Sequence, residues 1–135
     1  MKKFISLLLV ILMIFVSIPV YANDITVSPY YLHIRIMGHA FDINTQTGAT
    51  IVDANMTIKS GSYCTIAAEV QHKENNDWVP DVTYRATGNV NAIIEEDLYL
   101  DRGYIYKCIF TFTVYDEYDF IIEQKIFSSQ EIDYT

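Results

Sequence analysis

From Tyr104 to Tyr115 the chain alternates strictly: Tyr104, Tyr106, Cys108, Phe110, Phe112 and Val114 fall on one face, and Lys107, Thr111, Thr113 and Tyr115 on the other. A period of two in aromatic and β-branched residues predicts a strand buried on one face. The same period recurs along the chain. Tyr30 to Met37 sets Tyr30, Leu32, Ile34 and Ile36 against Tyr31, His33, Arg35 and Met37, a first strand that resumes at Phe41 to Ile43 after Gly38. Ala49 to Ile58 follows as the second strand. Tyr63 to His72 is the third, with Cys64, Ile66, Ala68 and Val70 in phase.

Beyond a polar tip at Asn75-Asn76, the segment from Trp78 to Ala86 is expected to pair back on the third strand as a hairpin, and Pro80, which lacks an amide hydrogen, suits an edge strand. Val90 to Leu100 is the fifth strand, Tyr104 to Tyr115 the sixth, and Phe120 to Phe127 the seventh. Turn residues recur about every ten positions and no helical period occurs. The expectation is therefore an all-β, seven-stranded sandwich.

The N-terminus changes this picture in one respect. Lys2 and Lys3 precede an apolar run from Phe4 to Val16, and Val20-Tyr21-Ala22 lies just before Asn23-Asp24. That order predicts a secretory signal peptide over 1–22, cut after Ala22, and a single β-sandwich domain over 23–135. Pro19 interrupts the run, which is short for a membrane span, so no membrane insertion is expected after cleavage. The protein is expected to be secreted. Its formal charge is −8, and losing Lys2 and Lys3 makes the remainder more negative still. Such a balance argues against nucleic acid and anionic lipid as partners, because both require a basic patch.

Export also opens an oxidising compartment to the two cysteines, Cys64 and Cys108. Both lie on the apolar phase of their strands and are expected to point inward, either as a disulfide or as two buried free thiols. Their spacing supplies no metal site and no CxxC motif. His33 lies on an outward phase, His39 in a turn, and His72 at a strand end near Glu74; they suggest no metal, and no nucleophile–base grouping can be read from spacing. The acidic runs Glu95-Glu96-Asp97 and Asp116-Glu117-Tyr118-Asp119 lack the loop pattern of a calcium site. No cofactor is implied. Trp78, Tyr115 and Tyr118 fall on outward or turn positions, where rings can stack on sugars or anchor a protein interface.

Leu100-x-x-Gly103-x-x-Tyr106 is similar to the tyrosine corner of fibronectin type III domains, with Arg102 where those domains often carry Pro. The likeness gives Leu100, Gly103 and Tyr106 structural roles, the Tyr106 hydroxyl bonding back to the preceding turn. Cys64, Trp78 and Cys108 resemble instead the Cys, Trp, Cys order of immunoglobulin domains. The immunoglobulin order would set the cysteines across the two sheets, whereas the fibronectin order puts them on neighbouring strands of one sheet. The short loop after His72 favours the latter.

More broadly the chain resembles small exported Ig-like or fibronectin type III-like proteins of Gram-positive bacteria. The matching residues are Glu69 to Lys73 followed by Trp78 and Tyr84, then Gly103 to Lys107, Val114-Tyr115-Asp116 and Glu123. These motifs concern packing, so the resemblance implies a fold and transfers no catalytic residue. The expected function is a non-catalytic interaction module with a cell-envelope glycan or a protein as partner. The alternative is a small secreted enzyme or toxin-like effector.

Overall fold

A computed structural model describes residues 31–135; the expected signal segment and cleavage after Ala22 lie outside them. The described residues are all-β, with eight strands instead of seven: β1 (Ile34–Ile43), β2 (Ala49–Ile58), β3 (Tyr63–Glu74), β4 (Asp77–Gly88), β5 (Asn91–Tyr99), β6 (Tyr104–Tyr115), β7 (Ile121–Ser128) and β8 (Ile132–Tyr134). They form two antiparallel sheets. One has the order β1-β2-β5, the other β4-β3-β6-β7, with β8 also paired to β6.

The alternating faces meet in one core. Phe110, Phe112, Ile66, Val70 and Val114 from the larger sheet pack with Val52, Met56 and Ile94 from the smaller. Each of the two phenylalanines is fully buried, a contribution of about 1.5–3 kcal/mol apiece. Cys64 and Cys108 are buried here as free thiols. Both are in the larger sheet, where Cys64 faces Val114 and Cys108 faces Val70 on the paired strand. That offset of six positions along the strand is about 20 Å, far beyond the reach of a disulfide. The candidate disulfide between Cys64 and Cys108 is therefore excluded.

Three strands depart from the sequence pattern. The first runs unbroken through Gly38, so His39 lies within a strand and not in a turn. A bulge between Ile34 and Ile36 flips the phase, which leaves Ile34 buried and Ile36 exposed on the outer face. In β4, an edge strand as Pro80 requires, the register slips so that Asp81 is the extra residue. The eighth strand has three residues, too few for alternation to announce it.

Candidate functional site

Tyr106 does bond back across the corner: its hydroxyl donates to the Asp101 carbonyl at 2.8 Å. The loop between is fastened from several sides. Leu100 N–H donates to the Gly48 carbonyl, Gly103 N–H to the Tyr134 carbonyl, and Arg102 Nη2 to the Thr45 carbonyl at 2.9 Å, with its guanidinium 4.9 Å from the centre of the Tyr134 ring. These residues close one end of the sandwich; they are structural.

Trp78 lies at this same end, on the outer face of the larger sheet. Its ring is covered by two ammonium groups, Lys107 at 4.1 Å and Lys73 at 5.5 Å from the ring centre. At these distances the ammonium groups make cation–π contacts with the ring. Nearby, His72 Nδ1 is 2.8 Å from Asp81 Oδ1, and the Tyr104 ring meets the imidazole edge-on at 4.6 Å. The bulge at Asp81 makes this pairing, which strand alternation alone does not foretell. Among the described residues no Ser, Thr or Cys hydroxyl or thiol is bonded to His72.

Tyr115 and Tyr118 are at the opposite end. Tyr115 lies eight positions along β6 from Lys107, which sits beside Trp78, about 27 Å of strand. The three aromatic candidates thus do not form one surface. Tyr115 and Tyr118 share one end of the β6–β7 pair, and Tyr115 gains a partner. Tyr63 faces Tyr115 across the β3–β6 pair, and their rings stack at 4.6 Å and 7°. The Tyr63 hydroxyl donates to Asp119 Oδ1 at 3.0 Å; burial and then this bond raise its pKa above the ordinary phenol value.

The β6–β7 turn itself is locked. Asp116 Oδ1 accepts from the amides of Tyr118 and Phe120, both at 2.9 Å, and Asp116 N–H donates to the Phe120 carbonyl at 3.0 Å. An Asp at the head of a turn favours this local bonding. Asp119 takes the left-handed conformation, φ 66°, which Asp tolerates better than most residues. The rigid turn holds Tyr118 and Phe120 out in solvent, 72% and 68% exposed, with Ile121 beside them. Next to Tyr118 a cleft of about 420 Å³ is lined by Gly61, Ser62, Asp116 and Glu117. Phe120 begins the seventh strand in the sequence pattern, so its exposure was not legible there.

Comparison with protein-family models finds no match, and comparisons with curated proteins and with solved structures find none either.

Proposed function

We propose that this chain is an exported, non-catalytic binding module of bacterial origin that engages an envelope glycan or a protein partner through the β6–β7 tip. The observation that carries the reading is the pair of adjacent exposed rings, Tyr118 and Phe120, on a turn whose backbone is already fixed. Exposed apolar side chains grouped on one turn mark an interaction site more often than scattered single residues do. A backbone fixed before binding loses little conformational freedom on contact. Tyr63 of the stacked Tyr63–Tyr115 pair is bonded to Asp119 of the same turn.

The fold type proposed with it is fibronectin type III-like. In support, β4 hairpins onto β3 in the sheet that holds β6 and β7, whereas the constant-type immunoglobulin order gives the fourth strand to the other sheet. Export rests on the N-terminal charge, apolar run and Ala22. The test is retention of the purified protein on cell-wall glycan fragments and on separated envelope proteins. The double variant Tyr118→Ala, Phe120→Ser is expected to lose retention while keeping its fold. Equal retention of both forms would remove the tip from the reading, and hydrolysis of a glycan or peptide would return the enzyme alternative.

A further inference from the structure

The outer face of the β1-β2-β5 sheet carries an arrangement that folding does not explain. Register places Asp42, Ile51 and Asp97 side by side in one row, Ala40, Asp53 and Glu95 in the next outward row, and Gly38, Asn55 and Ile93 in the one after. Neighbours within a row are about 4.8 Å apart and outward rows about 6.7 Å apart. Asp53 and Glu95 are therefore like charges set directly opposite each other, a pairing that destabilises a sheet. No Lys or Arg occupies these three rows, and among the described residues none of the four carboxylates has a hydrogen bond or ion pair. Carboxylates that shape the fold behave differently: Asp116, Asp119, Glu123 and Asp81 are each bonded. Between and beside the unpartnered four stand exposed apolar side chains, Ile51, Ile93 and, at 80% exposure, Tyr99.

We propose that this face docks a cationic amphipathic peptide segment, whose Lys or Arg side chains sit on the two carboxylate rows and whose apolar side chains cover Ile51, Ile93 and Tyr99. Charge complementarity selects the occupant. A second copy of the chain is disfavoured by the net charge of −8, and residues 4–30 contain no Lys or Arg to offer the face. A bound metal ion does not fit, because no group of three or more His, Cys, Asp or Glu among the described residues is arranged to hold one. A peptide does fit, since the outward row spacing of about 6.7 Å is also the spacing of alternate side chains along an extended chain. The opposed pair Asp53 and Glu95 is then relieved on binding: a cation seated between them converts repulsion into attraction.

The experiment titrates the purified protein with a synthetic peptide of alternating Lys and Leu, followed by calorimetry at low and high salt. Binding is expected to weaken several-fold as salt rises, in keeping with screening of exposed charges. The double variant Asp53→Asn, Glu95→Gln is expected to bind about tenfold or more weakly, yet to melt at a higher temperature than the native protein because the repulsion is gone. Ile93→Ser is expected to weaken binding with the salt dependence kept, and an all-Lys peptide to bind less well than the alternating one. Unchanged affinity or a lowered melting temperature in the double variant would overturn the proposal. So would loss of binding in Tyr118→Ala, which would move the peptide to the tip, or concentration-dependent self-association without peptide, which would give the face to a second copy.

Discussion

The Glu123 carboxylate accepts the Ile34 amide at 3.2 Å, and the adjacent His33 amide at 2.6 Å, so a side chain of β7 in one sheet holds the start of β1 in the other. Only 8% of that side chain is exposed, and Lys125 Nζ lies 3.9 Å from its other oxygen. A charged acceptor of backbone amides is worth more than a neutral one. Glu123→Ala is expected to leave both amides without this acceptor and to cost about 1–3 kcal/mol. Hydrogen exchange should quicken first at His33 and Ile34; uniform exchange across β1 would show that the carboxylate is not the fastening point.

At the other end of the sandwich the fastening is the tyrosine corner. Tyr106→Phe removes only the hydroxyl that donates to Asp101, and its cost is expected to be about 1–3 kcal/mol. Tyr104 shares the inward phase but is partly exposed, and Tyr104→Phe should cost less. Urea midpoints of the two variants decide the matter. Equal midpoints would mean that the corner hydrogen bond carries no stability.

Two buried groups make alkaline stability a readable quantity. Burial, followed by the charges of Asp81 and Asp101, pushes Tyr106 up to about 12 from an ordinary value of 10.0. Burial and then Glu69 push Cys108 up to about 12 from 9.0. Both folded-state values are raised, so the folded protein keeps protons that the unfolded chain loses. The associated stability is complete below about pH 9 and falls as pH rises towards 12. Cys108→Ala should flatten the fall that begins near pH 9, and Tyr106→Phe the part above pH 10. At neutral pH both thiols should resist alkylation until the protein is unfolded; rapid labelling of the native protein would contradict their burial.

Two glycines separate backbone strain from steric conflict. Gly103, at φ 113°, has no atom within 4 Å of where a Cβ would stand, whereas at Gly48, φ 78°, a Cβ would meet the Leu100 carbonyl oxygen at 2.8 Å and the Tyr134 hydroxyl at 2.9 Å. Gly103→Ala is expected to cost about 1–2 kcal/mol from the left-handed conformation alone. Gly48→Ala should cost distinctly more, since the Leu100 backbone and the Tyr134 side chain must both give way to admit it. The comparison is made by thermal denaturation, and a smaller loss at Gly48 would show that the end of the sandwich is loosely packed.

The all-β architecture was legible because it depends on alternation, and the inward faces of β2, β3 and β6 alternate without a break. What was not legible has a common cause. A bulge adds one residue without changing composition, so the phase flip at Arg35 and the placement of Asp81 beside His72 leave no mark in the pattern. Tyr63 was read only as the start of a strand. Its role at the tip depends on the β3–β6 register, which brings it opposite Tyr115 from 52 positions away. The lysines over Trp78 are hidden for the same reason: Lys107 reaches the ring from another strand.

The tip supports a prediction that separates presentation from contact. The Asp116 carboxylate accepts two amides of the turn that carries the exposed rings. Asp116→Ala should cost about 1 kcal/mol, as loss of a local side-chain cap does elsewhere, and should free the turn so that Tyr118 and Phe120 sample many orientations. Tyr118→Ala should change stability by no more than about 0.5 kcal/mol, because an exposed ring contributes little to the folded state. If the tip binds as proposed, both variants lose affinity. The Tyr118 loss reflects missing contact area. The Asp116 loss reflects the cost of reordering the turn on binding, and it should shrink when Asn is used instead of Ala, since the Asn side-chain oxygen can still accept an amide. Binding measured across Asp116→Ala, Asp116→Asn and Tyr118→Ala, alongside their urea midpoints, is the test; full affinity in Asp116→Ala would show that a preordered turn plays no part in recognition.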